Sequence, residues 1–310
     1  MQNPASRPPV GAVLALAVLA ASFSSIFIRF AQAEASSLVI SAYRLALATL
    51  LLSPILLFRY RGEIRSLSRV DTRLSIIAGI FLALHFATWI SSLEYTSVAS
   101  SVVLVQTAPL MVAALSPLLL KERISRYLLI GILIATLGSL IVGISDACGA
   151  AECLPLGEIF QGTAILGDLL ALAGAAAGAG YVIVGRRVRR TVSLFPYIGI
   201  AYGAAAIVLI VAAFFEDAPL FGFEPSTYLW LVLLAVFPQL IAHTSYNWAL
   251  GYAAAAIVSL VLLAEPVASS VLALVFLDET PTTLRLAGGI LILAGIGLGS
   301  YRTDSTPIES

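Results

Sequence analysis

The sequence predicts an all-α integral membrane protein of ten transmembrane helices, arranged as two inverted five-helix repeats. Three observations predict it. The chain is 60% hydrophobic and only 11% charged, with a mean hydropathy of +1.02, whereas soluble domains carry about 25% charged residues and cannot hide so much apolar surface. Its apolar residues fall in continuous runs of membrane-spanning length. And the chain repeats itself: residues 11–143, shifted by 157 positions, fall on 168–300 without a gap.

The spans read as roughly 9–30, 37–58, 74–93, 97–119 and 127–145, then 163–185, 194–215, 227–250, 254–277 and 284–301. Each approximates the ~20 residues that cross a ~30 Å hydrocarbon core as a helix. Barrel strands would alternate in polarity, and these runs do not. The first run follows Arg7 and resembles a secretory signal. It has an internal copy at 168–185, which a removable peptide would not have, so it is read as a retained helix.

The repeat rests on unlike residue types kept in one register. Pro109 falls on Pro266, Glu122 on Glu279, Gly131 on Gly288, Gly138 on Gly295, Arg29 on Arg186, and Tyr95 on Tyr252. Residues 11–143 and 168–300 form the two units, joined by a linker at 144–167. An odd number of spans per unit turns the second upside down relative to the first, a recurring construction of secondary transporters.

Orientation follows from Lys and Arg in the short loops. Arg59, Arg61, Arg65, Arg69 and Arg73 share one side with Lys121, Arg123 and Arg126, with Arg186, Arg187, Arg189 and Arg190, and with Arg7 and Arg302. The opposite loops are acidic, with Arg285 the firm exception. Both termini are expected to be cytoplasmic. Cys148 and Cys153 fall in the outer linker, where a small disulfide and two free thiols are equally open. Two cysteines make a poor metal site.

A familiar pattern occurs twice. ASSVVLVQTAPLMVAALSPLLLKERIS (99–125) and AAIVSLVLLAEPVASSVLALVFLDETPT (255–282) each carry a small-residue start, a mid-helix proline, a leucine-rich run and an acid at the membrane edge. Each precedes a glycine-bearing helix, GILIATLG (131–138) and GGILILAG (288–295). With YRLALATLLL at 43–52, this resembles the EamA family of the drug/metabolite transporter superfamily. The resemblance implies ten helices in two inverted repeats. It implies a central cavity lined mainly by the first four helices of each half, with the fifth and tenth as a supporting pair. It also implies export or exchange of amino acids, nucleosides or other small metabolites. No cofactor is implied.

Polar residues within spans are costly and are functional hypotheses by default. Arg44, His85, Gln106 and Glu265 fall between the outer interface and the midplane, and their repeat mates are Ala201, Ala242, Leu263 and Ala108. The polar set breaks the pseudo-symmetry, as a site for an asymmetric substrate must. Glu265 could bind a substrate ammonium group or carry a coupling proton, a buried carboxyl being readily protonated. Alternatively it is a structural partner of Arg44 or His85. The resemblance implies an acid before this proline and an arginine early in the second helix, so both could be general features of the scaffold. Arg44 could bind a carboxylate or brace helices. His85 could relay protons or join two helices, and Gln106 has the same two readings.

Tyr43, Phe86, Trp89 and Tyr246 lie near these depths and could form a stacking wall or anchor at the interface. Trp89 follows His85 by one turn on the same face. His243 and Asn247 could line an inner vestibule. Pro109 and Pro266 each break a helix at one repeat position, as a hinge for alternating access or as a static kink. Gly174, Gly178, Gly295 and Gly299 allow close helix contact. Glu122 and Glu279, at helix ends, are expected to contact loop arginines or backbone N–H groups.

The expected partners are a small-molecule substrate and membrane lipid. Proton coupling through Glu265 is one expected drive and facilitated diffusion another. Zero net charge and no basic cluster beyond the loops argue against nucleic acid, and neither a phosphate-binding loop nor an H-E-x-x-H metal site is present. No enzymatic activity is expected. The leading expectation is an inner-membrane exporter of small metabolites such as amino acids. The alternatives are a non-transporting sensor or assembly protein and an exchanger of phosphorylated or lipid-linked cargo. Oligomeric state stays open.

Overall fold

The computed structural model describes residues 8–147, 164–277 and 280–301. Cys148, Cys153 and Glu279 lie outside them. The described residues carry ten helices of membrane-crossing length and composition. In the first half these are span 1 (Val10–Ala31), span 2 (Ser37–Arg59), span 3 (Arg69–Tyr95), span 4 (Ser100–Leu119) and span 5 (Arg126–Ser145). In the second they are span 6 (Ala164–Val188), span 7 (Leu194–Phe215), span 8 (Pro225–Ala249), span 9 (Ala255–Leu272) and span 10 (Thr283–Ser300). A short helix, Arg61–Ser66, joins spans 2 and 3. The fold is a ten-helix membrane protein of two inverted five-helix repeats.

Local chemistry sets the helix starts. Side-chain oxygens of Ser36, Ser68, Ser97 and Thr282 accept hydrogen bonds from the N–H groups of Val39, Asp71, Ser100 and Arg285, each satisfying a donor that the first helical turn leaves open. Other starts borrow an acid from elsewhere in the chain. Glu34 accepts from the Glu224 N–H at 2.9 Å and from the Thr227 hydroxyl at 2.8 Å at the head of span 8. Glu63 accepts from the Ser193 N–H at 3.0 Å, just before span 7. Acids at helix N-termini also meet the positive end of the helix dipole.

Four spans are interrupted. Span 4 breaks at Gln106–Thr107 and span 9 at Leu263–Ala264, matched positions of the repeat. In each, the proline sits second in the segment after the break, as Pro109 follows Ala108 and Pro266 follows Glu265, where its missing N–H is no loss. The other two interruptions have no counterpart in their mates. Span 1 breaks at Ser22–Phe23, and span 8 runs as a π-helix over Ala235–His243 with Pro238 inside it. Wide turns of this kind occur often at functional sites.

Two buried apolar clusters hold the bundle. One centres on spans 2, 3 and 7, with Leu45, Leu82, Phe86 and Tyr202. The other joins spans 1, 4, 5, 8, 9 and 10 through residues such as Leu14, Val112, Ile132, Leu260 and Ile292. Spans 5 and 10 approach through their glycines: a Cβ on Gly131 would stand 2.5 Å from the Gly295 carbonyl oxygen, and one on Gly138 2.6 Å from that of Gly288. In lipid, where no hydrophobic force drives helices together, such close packing is the main source of adhesion.

Candidate functional site

A cavity of about 130 Å³ lies where the two clusters meet. It is smaller than the ~300 Å³ of pockets that enclose drug-sized ligands. Spans 1, 2, 3, 4, 6, 8 and 9 line it. Span 7 contributes no lining residue, although the resemblance implied it would. Its Ala201, the repeat mate of Arg44, packs instead against span 3, where a Cβ on Gly79 would meet the Ala201 carbonyl at 2.4 Å.

The lining follows the repeat in position and departs from it in chemistry. Seven mate pairs line the cavity from both halves: Ala21 and Gly178, Ser24 and Tyr181, Phe86 and His243, Trp89 and Tyr246, Val105 and Leu262, Gln106 and Leu263, Ala108 and Glu265. Arg44, His85 and Asn247 add polar groups whose mates are apolar.

Of the residues singled out from the sequence, Glu265, His85, Gln106, Trp89, Arg44 and Tyr246 come together here, as do His243, Asn247 and Pro109. Tyr43 does not. Its hydroxyl donates to the Leu220 carbonyl at 2.7 Å and its ring meets Tyr228 edge-on, so it braces span 2 against the span 7–8 connection. Pro266 adjoins the cavity without lining it.

Glu265 is the first residue after the span 9 break, at the N-terminus of a half-helix, where the dipole favours a carboxylate. Its Oε1 accepts from the Tyr246 hydroxyl at 3.1 Å. It makes no ion pair with Arg44; both ion pairs among the described residues go to Glu122. Arg44, 1% exposed, donates from Nε to Gln239 at 2.9 Å and from Nη1 to Ser24 at 3.0 Å, and lies 4.1 Å from the Phe86 ring centroid. It thus ties span 2 to spans 1 and 8 and stacks on span 3. A buried guanidinium whose hydrogen bonds go to neutral groups is costly.

His85 Nδ1 lies 2.8 Å from the Gly174 carbonyl. A carbonyl only accepts, so Nδ1 carries the proton, and Nε2 of the neutral ring is an acceptor. The ring stacks on Trp89 with centroids 5.9 Å apart, the same-face pairing expected from their spacing. Among the described residues the Trp89 indole N–H has no hydrogen-bond partner, nor does the amide oxygen of Asn247. Asn247 donates to the Tyr181 hydroxyl at 2.6 Å. The Gln106 amide oxygen accepts from the Ser139 hydroxyl on span 5. Sequence reasoning missed Ser24, Tyr181 and Gln239, which look like ordinary helix residues until the helix faces are known. Pro238 inside an apolar run was the one readable sign of the irregular span 8.

At the arginine-bearing face, Glu122 contacts both kinds of partner expected of it. Its carboxylate pairs with Arg186 at 2.6 Å and Arg190 at 3.3 Å, and accepts from the Ala255 N–H at 3.0 Å. Nearby Arg189, just past span 6, is pushed below the usual guanidinium range by burial, against the opposing influence of Tyr252, Tyr197 and Glu63.

Broken helices around a mostly apolar cavity that holds a few polar groups, between inverted repeats, are the construction of a membrane carrier. The chain belongs to the EamA-like transporter family, whose model matches it twice, over residues 10–144 and 165–301. It is similar to a protein of Archaeoglobus fulgidus described as an uncharacterized transporter, 25% identical over 290 residues that cover 92% of this chain and 95% of the other. A second from that organism, with the same description, is 28% identical over 92% of this chain and 96% of its own. The uncharacterized transporter YyaM of Bacillus subtilis is 24% identical over 83% and 82%. A solved crystal structure superposes with a TM-score of 0.75 at 19% identity, covering 95% of this chain and 97% of that one, a likeness of fold.

Proposed function

We propose that this chain is a secondary carrier that exports a small metabolite, an amino acid or related compound, across the inner membrane by alternating access. Units 11–143 and 168–300 are the two halves that rock, 144–167 is their tether, and Pro109 and Pro266 mark the hinges. The arginine-bearing face and both termini are cytoplasmic.

The observation that carries this reading is a cavity lined at matched positions by unlike chemistry. It places one cation, Arg44, and one acid, Glu265, among aromatic rings. A small zwitterion fits that set: carboxylate to Arg44, ammonium to Glu265 and Tyr246, and an apolar body against Phe86 and Trp89. His85, Gln106 and Asn247 offer the remaining polar contacts. Arg44 is the one Arg or Lys in the lining, which favours this over phosphorylated cargo. Glu265 is also the coupling group if a proton drives transport, because substrate ammonium and proton would compete for one carboxylate.

Counterflow in proteoliposomes with pooled labelled amino acids and nucleosides tests the reading. Saturable exchange of one pool is expected, lost in Glu265→Ala while that variant keeps its melting temperature. Failure of the folded protein to exchange any pool, followed by failure with a wider set of metabolites, would sink the carrier reading. Unchanged rate and pH dependence in Glu265→Gln would remove proton coupling alone.

A further inference from the structure

The paired breaks in spans 4 and 9 set off the half of each span nearer the arginine-bearing face, Ala108–Leu119 and Ala255–Leu262. Those halves pack against each other in the second apolar cluster, through residues such as Val112 and Val258, and one side chain adds a polar tie between their ends. Glu122, its side chain 9% exposed, lies just past the end of span 4 of the first repeat. Its Oε1 takes Arg186 and Arg190 from the end of span 6, and its Oε2 takes the N–H of Ala255, the first residue of span 9. Arg186 in turn donates from Nη1 to the Leu250 carbonyl at 2.7 Å, at the end of span 8. Leu250 lines the cavity, as does Val258, one turn into span 9. The four span ends tied by this cluster are therefore the wall of the cavity towards the arginine-bearing face.

The repeat shows why the tie is not a routine helix cap. The helix that opens span 4 starts at Val98 and the one that opens its mate, span 9, at Ala255, matched positions of the repeat. Ser97 caps the helix of span 4 with its own hydroxyl, accepting from Ser100 N–H at 3.0 Å. The mate of Ser97 is Ala254, which has no side-chain cap to offer. Span 9 takes its cap from the other repeat, so this protein-supplied cap exists only while the two halves are in contact at this face.

We infer that Glu122 is a latch that holds the arginine-bearing side of the cavity closed, and that opening to that side requires its release from Arg186, Arg190 and the head of span 9. The inference rests on the alternating-access reading, and its test does not depend on flux.

The test is solvent access from one face. In a background lacking Cys148 and Cys153, Ser259→Cys places a small reporter in the cavity wall. Proteoliposomes are labelled with a membrane-impermeant maleimide, and a separate Gly62→Cys protein, exposed on the arginine-bearing side, marks which vesicle face is which. Glu122→Gln is expected to raise labelling from that face at least about tenfold, the shift that loss of one hydrogen bond to a charged group gives a two-state equilibrium. Arg190→Gln, which removes only the more exposed arm, is expected to act in the same direction and more weakly, and serves if Glu122→Gln does not fold. Adding Ala254→Ser to Glu122→Gln restores a local cap without restoring the tie, so labelling stays high if Glu122 is a latch. Labelling unchanged in both single variants, or returned to its original rate by Ala254→Ser, would overturn the latch. Raised labelling in a protein that exchanges no substrate would leave the latch standing and count against the transport reading alone.

Discussion

Spans 5 and 10 keep both position and residue type at their paired glycines, whereas the cavity keeps the repeat only in position. The contact of Gly131 with Gly295 maps, by the 157-residue shift, onto the contact of Gly288 with Gly138, and both are present. Same residues, same places, same job: two helices brought into backbone contact. Around the cavity the same positions carry alanine opposite glycine, serine opposite tyrosine, phenylalanine opposite histidine and alanine opposite glutamate. Packing tolerates symmetry because each helix needs only a close neighbour. Recognition of a small asymmetric molecule does not, because its ends differ in charge. The comparison therefore separates residues that hold the bundle from residues that face the cargo.

The symmetric region breaks most severely. At Gly131 a Cβ would stand 2.5 Å from the Gly295 oxygen and 2.6 Å from the Gly299 Cα, both backbone atoms that no rotamer change can move. Gly131→Val should force spans 5 and 10 apart and destabilise the protein by about 3 kcal/mol, the upper end for overpacking. The check is thermal unfolding in detergent. Gly297→Ala, where nothing lies within 4 Å, should leave the melting temperature unchanged. Equal losses at the two positions would mean that glycine content, and not this contact, sets the stability.

The matched cavity pair Ala21 and Gly178 sharpens the other side of the comparison. A Cβ on Gly178 would come 3.0 Å from His85 Nδ1, the nitrogen bonded to the Gly174 carbonyl. Gly178→Ala should push the imidazole off that carbonyl, cost about 1–3 kcal/mol and change the apparent KM for substrate. Ala21→Gly, at the same repeat position, meets no such ring and should cost under about 1 kcal/mol, the ordinary helix penalty for glycine. If both variants shifted KM equally, the two faces of the cavity would be equivalent to the substrate and the asymmetry argument would fail.

Much of this was legible in the sequence, for physical reasons. Ten spans were readable because the bilayer demands continuous apolar length, and the repeat because proline, glycine and charge recur in one register. Glu265, Arg44, His85 and Gln106 stood out because a polar group in an apolar run is costly, so its presence is informative. What could not be read is rotation about each helix axis. Tyr43 and Arg44 are neighbours, yet one turns to Leu220 at the rim and the other to Gln239 in the interior. Both partners lie far away in sequence, and only the packed bundle decides which face turns where. The break at Ser22–Phe23 lacks a proline and gave no local sign of itself.

That break supports the smallest effect, and the one most specific to the asymmetry. Span 6, the mate of span 1, runs unbroken through Ala179, the mate of Ser22. Ser22 donates to its own Val18 carbonyl at 2.7 Å and, more weakly, to the Glu265 carbonyl at 3.2 Å, while its own carbonyl accepts from the Ser269 hydroxyl at 3.2 Å. The broken part of span 1 is thereby fastened to the segment of span 9 that carries Glu265. Ser22→Ala makes this position like its mate and removes one tie to the backbone of that segment, leaving the Ser269 bond in place. Interhelical hydrogen bonds in membranes average about 0.6 kcal/mol, so the melting temperature should fall by no more than a degree or two. Transport should respond more than stability does, because the lost bond positions the half-helix that presents the carboxylate: KM should rise with little change in maximal rate. A fall in stability with unchanged KM would show that the tie only packs span 1. The break would then be a local irregularity, and not part of what makes the two halves different.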